Sequence, residues 1–305
     1  MRIGKMDLAQ LNQEYGLAGQ ITFVEGKGGF PYIEVANDQA TALVSLYGGQ
    51  VLAFQPTEAS HGLMFVSENA YYQTGKAIKG GAPICWPWFG PDPKGQGRPN
   101  HGFARSRLWQ VKSTQTLPSG ATQVILGFSY SNDTRELWPY EFELSIEINV
   151  GRVLELVLVS GNLGDRPFDI TQALHTYFAV GDITQTQVLG LDGTTYIDKV
   201  DDQKTKSQAG AVAIASEVDR IYQGVPSELT IQDDALDRQI RITSTGSQTA
   251  VVWNPWIEVS AKSGDLTDDA YQHFICVETT NAADDVVTVP AREEYRLAAI
   301  YDLLS

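Results

Sequence analysis

The chain has 305 residues, 43% hydrophobic and 10% aromatic, enough to fill one large core. A formal net charge of -15 speaks against nucleic acid as a partner. Neither a signal-like segment nor an apolar run of roughly 18 residues occurs, so no membrane partner is expected and a soluble, cytoplasmic protein is.

In chain order, a short helix is expected over residues 6–15, and strands follow almost to the end. Apolar runs at 21–24, 42–54 and 122–130 come first. Phe142, Leu144, Ile146 and Ile148 then alternate with Glu143, Ser145, Glu147 and Asn149, the two-residue period of a strand with one face on a core. After the interruption at 149–152, the run 153–159 is apolar on both faces and predicts the buried second strand of a hairpin. Further strands are expected at 170–180, 228–231, 239–243, 250–253, 273–278 and 295–301. Many short strands with Gly, Asn and Asp between them predict an all-β fold, a large antiparallel β-sandwich, formed by one domain over 1–305.

Residues 79–105 break the pattern. Gly80, Gly81, Pro83, Pro87, Pro91, Pro93 and Pro99 forbid a long regular element, yet Trp86, Trp88, Phe89 and Phe103 give the segment more aromatic mass than a solvent loop needs. A long loop held by its own packing is commonly functional. Cys85 and Cys276 form no CxxC pair, so buried thiols are expected instead of a disulfide framework or zinc site.

The segment Lys79-Gly-Gly-Ala-Pro-Ile-Cys-Trp-Pro-Trp-Phe-Gly90, followed by His101-Gly-Phe-Ala-Arg105, resembles the hexose-6-phosphate mutarotases of the aldose 1-epimerase superfamily. The likeness continues in order through Ala173-Leu-His175-Thr-Tyr-Phe178, Glu217-Val-Asp219-Arg-Ile-Tyr222, Val252-Trp-Asn-Pro-Trp256 and Cys276-Val-Glu278-Thr-Thr-Asn281. The resemblance implies a galactose-mutarotase-like supersandwich that interconverts the α and β anomers of a hexose 6-phosphate. It implies His101, His175 and Glu278 as catalytic residues and Asp219 as a sugar-binding carboxylate. It also implies a phosphate held by cations of the loop, of which Lys79 and Arg105 are the first candidates and Arg98 and Lys94 weaker ones. Lys79 departs from the pattern, since an Arg usually precedes the Gly-Gly pair.

Anomer interconversion moves one proton off the C1 hydroxyl and one onto the ring oxygen, then reverses both. It needs a base and an acid, expected on opposite sides of the anomeric centre, and neither a cofactor nor a metal. At about 10²–10⁴-fold each, such a pair lowers the barrier by roughly 5–11 kcal/mol.

Strand parity places His175 on a face with Thr171, Ala173 and Tyr177, where the small Ala173 leaves room for a ligand. A histidine satisfied within the core is the competing reading. Glu278 follows the apolar run 275–277, so it is either a buried carboxylate with a raised pKa or a strand-end residue reaching water. Asp219 is either a sugar ligand or a surface acid paired with Arg220. A free-sugar aldose 1-epimerase, a non-catalytic carbohydrate-binding protein and a glycoside hydrolase using Glu278 and Asp219 remain alternatives, and a monomer is the expected state.

Overall fold

The computed structural model describes residues 7–304. Two large sheets dominate, of nine and eight strands; a four-stranded sheet spanning Ile21–Glu25 to Gln50–Pro56 and a two-stranded ribbon complete the sheet structure. The expected hairpin is at the heart of the nine-stranded sheet. Phe142–Val150 alternates strictly between buried and half-buried residues and pairs in antiparallel register with Leu154–Asn162, which is buried along most of its length. Each Leu or Ile that this hairpin buries stabilises the fold by about 1.5–3 kcal/mol.

The eight-stranded sheet runs in the order Lys204–Ser207, Thr195–Asp198, Val218–Gln223, Thr249–Asn254, Phe274–Asn281, Gln172–Leu174 and Ile84–Cys85, with Tyr177–Ala179 also pairing onto Phe274–Asn281. These pairings are all antiparallel. One face, carrying Leu174, Phe178, Val252, Ile275 and Val277, joins the same buried cluster as Leu144, Ile146, Leu156 and Leu297 of the nine-stranded sheet. Across the interface Phe178 meets Tyr301 edge to face at 5.1 Å, and Thr176 shares a 2.6 Å hydrogen bond with the Tyr301 hydroxyl. This is a sandwich, as the alternation implied. The all-β class, the antiparallel pairing and the two packed sheets agree with the sequence reading.

Three expectations change in detail. The helix is Leu8–Tyr15, capped by Asp7, and its expected first residue, Met6, lies outside the described residues. The run 42–54 is two strands, Ala40–Ser45 and Gln50–Pro56, turned at Gly48 and Gly49, both with positive φ. The run 170–180 is not one strand: pairing stops after Leu174 and resumes at Tyr177, so His175 stands in a break in the ladder.

Candidate active site

The break does not shift the register. Ala173 lies opposite Thr280 and Tyr177 opposite Cys276 on the strand Phe274–Asn281, which sets His175 against Glu278. Cross-strand partners share a face, so two rows run side by side over the outer face of this sheet. One row is Ile197, Ile221, Val251, Glu278 and His175; the other is Asp219, Trp253, Cys276 and Tyr177. The parity reading of His175 with Ala173 and Tyr177 is correct, and Glu278 lies mid-strand at 2% exposure, not at a strand end reaching water.

The segment 79–105 covers this face. Its one regular strand is Ile84–Cys85, and it is anchored by Trp86, whose indole donates to Ser160 Oγ at 3.0 Å and packs against Trp138 and Phe142. Gly102 has φ +70, and a Cβ there would lie 1.9 Å from the Trp86 carbonyl oxygen, so only glycine lets the chain pass. That passage delivers His101, itself at φ 61, with its backbone N–H donating to Gly90 O at 2.7 Å. The Gly90 N–H donates to His101 Nδ1 at 3.3 Å. A neutral imidazole accepting at Nδ1 carries its proton on Nε2, leaving that nitrogen a donor. The His101 ring packs between Phe89, 4.9 Å away, and His175, 5.6 Å away.

His175 Nε2 is 3.4 Å from Glu278 Oε1. Their other polar atoms, His175 Nδ1 and Glu278 Oε2, are buried without a protein partner, which is costly unless a ligand supplies one. Burial pushes Glu278 well above the usual carboxylate range, reinforced by Asp219 and opposed by Lys199 and Arg105. Burial, then the neighbouring His101, Arg105 and Lys79, holds His175 well below its ordinary value. His101 is pushed down to about 2 by burial and by the charges of Arg105, Lys199 and Lys79. Both histidines are therefore neutral, and the Glu278–His175 pair carries one proton between its two heteroatoms.

Lys79 and Arg105 line one cavity of about 240 Å³ with Lys76, Tyr71, Pro83, Tyr177 and Asp265. This cavity adjoins the pair: the Tyr177 ring stacks on His175 at 5.0 Å, and the His175 backbone N–H donates to Pro83 O at 2.9 Å. Lys79 Nζ stands 5.7 Å from the centre of the Trp253 ring and 3.4 Å from Asp265 Oδ1, while the Arg105 guanidinium donates to the Asn100 carbonyl at 2.9 Å. A larger hollow of about 630 Å³ covers the exposed side of the nine-stranded sheet, but among the described residues the buried carboxyl and imidazole groups with displaced proton affinity lie at the His175–Glu278 site.

Arg98 is not brought there. Its guanidinium is paired with Asp92, donates to Leu137 O at 2.8 Å and lies over the Trp88 ring at 4.2 Å. Lys94 contributes only its backbone N–H, to Asp92 at 3.0 Å. Asp219 is paired with Lys199 at 2.8 Å instead of with Arg220, which lies over the Tyr196 ring. Sequence reasoning missed Lys199 and Asp265. Each is a single charge in an unremarkable turn, and the only signal for Lys199 is the register that puts residue 199 beside Asp219.

The aldose 1-epimerase family is matched over residues 31–302. A protein of Escherichia coli (strain K12) named "Putative glucose-6-phosphate 1-epimerase" is 37% identical over 83% of each chain. One of the same name from Cenchrus ciliaris is 34% identical over 84% of this chain and 79% of its own. The crystal structure of a "putative mutarotase (YeaD)" from Salmonella typhimurium superposes with a TM-score of 0.88 at 33% identity, covering 95% of this chain and 96% of that one.

Proposed function

Since the chain belongs to the aldose 1-epimerase family, we propose that it interconverts the α and β anomers of a hexose 6-phosphate by general acid-base ring opening and closure. The observation that carries this reading is the buried Glu278–His175 pair, with an unpartnered oxygen and nitrogen, beside a cavity that holds Lys79 and Arg105. Glu278 takes the proton of the C1 hydroxyl and His175 delivers one to the ring oxygen. Both oxygens are bonded to C1, so an acid and a base 3.4 Å apart suit them better than groups on opposite sides of the centre. For this step the shared proton moves onto His175, leaving Glu278 a carboxylate; ring opening then returns both partners to the neutral forms that burial favours, and the same transfers reversed close the ring. His101, neutral and donating from Nε2, stabilises the negative charge that develops as the ring opens. Asp219, fixed by Lys199, accepts hydrogen bonds from sugar hydroxyls.

Lys79 and Arg105 hold the phosphate. With Lys76 they reverse the sign of a chain at -15, without which a dianion is repelled. The test compares kcat/KM for glucose 6-phosphate and for glucose, by NMR exchange, in Lys79→Ala and Arg105→Ala. A charge-assisted contact of roughly 1.5–3 kcal/mol gives an approximately 10- to 150-fold loss confined to the phosphorylated sugar. Equal losses on both sugars would transfer the proposal to a free-sugar epimerase.

A further inference from the structure

The cation cavity contains one acid. Asp265 sits in the turn after the helix Trp256–Lys262, and the turn is pinned on both sides of it. Ser263 Oγ donates to Val259 O at 2.8 Å, Asn69 donates to Leu266 O at 3.2 Å, and Leu266 is buried in a cluster with Tyr177 and Phe274. A Cβ on Gly264 would meet the Tyr71 hydroxyl at 2.5 Å, so the turn is pressed against the cavity wall. The Asp265 carboxylate is therefore a fixed charge. Its Oδ1 lies 3.4 Å from Lys79 Nζ, with both side chains 22% exposed. That is longer than the roughly 2.7–2.9 Å of a strong charge-assisted hydrogen bond, so the pair is close but loosely made.

This arrangement has a consequence for selectivity, which rests on the reading that the cavity takes the sugar's phosphate. A group entering between Lys79 and Arg105 has to draw the ammonium away from Asp265 and meets the repulsion of that carboxylate at close range. A phosphate dianion brings two charges and three oxygens to two cations, and gains more than it displaces. A carboxylate brings one charge and offers Lys79 nothing that Asp265 does not already supply. We propose that Asp265 is a specificity-determining positioning residue: an internal counter-charge for Lys79 that sets the charge an incoming group must carry. The cavity then admits a sugar bearing a dianionic phosphate and turns away one bearing a carboxylate. The device works against binding in general, as specificity devices built on repulsion do.

Asp265→Asn keeps the size of the side chain and removes the charge. KM for glucose 6-phosphate should fall about 3- to 10-fold with kcat nearly unchanged, and the inhibition constant of inorganic phosphate should fall by a similar factor. Glucuronate should pass from no detectable inhibition to competitive inhibition, with a smaller gain than phosphate because it carries one charge against two, and the constants for glucose should stay as they were. Asp265→Glu, which retains the charge, should behave like the parent. An unchanged or raised KM for glucose 6-phosphate in Asp265→Asn overturns the inference, as does a parallel change for glucose, which would make Asp265 a contact of the sugar ring. The two failures separate cleanly. If Lys79→Ala and Arg105→Ala weaken only the phosphorylated sugar while Asp265→Asn does nothing, the specificity role fails alone; if those two variants weaken both sugars equally, the phosphate reading fails.

Discussion

Two neighbouring regions of this molecule treat charge in opposite ways. At Glu278 and His175 burial removes it: the carboxyl is raised, the imidazole lowered, and the pair keeps one mobile proton. In the adjoining cavity Lys76, Lys79, Arg105 and Asp265 remain partly open to water, which solvates charged groups. Proton transfer in both directions needs groups with no strong preference for either state, whereas holding an anion needs cations that never give up theirs. The stacked Tyr177 ring stands between the two and lets one site carry both environments.

The comparison breaks most visibly if the dry region is disabled. Glu278→Gln should lower kcat by about 10²–10⁴-fold on glucose 6-phosphate and on glucose alike, and His175→Asn should do the same. Because the pair works as a unit, the double variant should be little worse than either single one. A rate within a few-fold of the parent in Glu278→Gln would remove that residue from the mechanism. His101→Asn should cost less, roughly 10- to 100-fold in kcat with KM nearly unchanged; a change confined to KM would make His101 a binding residue.

How much of this was legible beforehand depended on what each feature requires. The hairpin Phe142–Val150 with Leu154–Asn162 was readable because a two-residue period and a polar interruption are local signals. The faces of His175 and Tyr177 were readable for the same reason, although the break between them was not: Leu174, Thr176 and Phe178 look like continuous strand, and only the approach of residues 79–105 explains why the ladder opens. The ordered motifs led to Glu278, His175 and His101, which the fold brings together. Arg98 was misleading, since its charge is spent inside the loop on Asp92 and Trp88. Lys199 and Asp265 were invisible because their importance lies in pairing across long sequence distances with Asp219 and Lys79.

Acidity provides a finer test of the dry region. An unfolded histidine titrates near 6.5, whereas His101 is held near 2, so its contribution to stability is complete above about pH 6.5 and is lost as pH falls. Glu278 has the opposite sign. Its folded value is raised above 4.5, so its contribution is full in acid and is lost as pH rises through the raised value. Glu278→Gln should therefore gain Tm relative to the parent as pH is raised from 5 to 8. In the parent, kcat/KM should show an acid limb displaced upward from the ordinary carboxylate range. A Tm difference that does not vary with pH would show that Glu278 pays no penalty for ionising.

The smallest effect on catalysis is expected at Arg98, and it separates cations that meet substrate from cations that hold the loop. The guanidinium lies over Trp88, whose indole donates to Pro99 O at 2.9 Å, and its bonds to Asp92 keep that carboxyl below the usual range. The Asp92 carboxylate also accepts from the backbone N–H groups of Lys94, Gln96 and Arg98, so one ion pair closes the turn at 92–98. Removing the guanidinium leaves Asp92 and the Leu137 carbonyl short of a donor and uncovers one side of Trp88, a loss that falls on the loop and reaches His101 only through it. Arg98→Ala should accordingly lower Tm and lower kcat/KM for both sugars together, with the ratio between glucose 6-phosphate and glucose staying within about two-fold of the parent. Lys79→Ala should do the reverse, changing the ratio while leaving Tm almost untouched. If Arg98→Ala instead lost the phosphorylated sugar selectively, the phosphate would extend to this turn, and the division between a cation cavity at Lys79 and a structural ion pair at Arg98 would have to be redrawn.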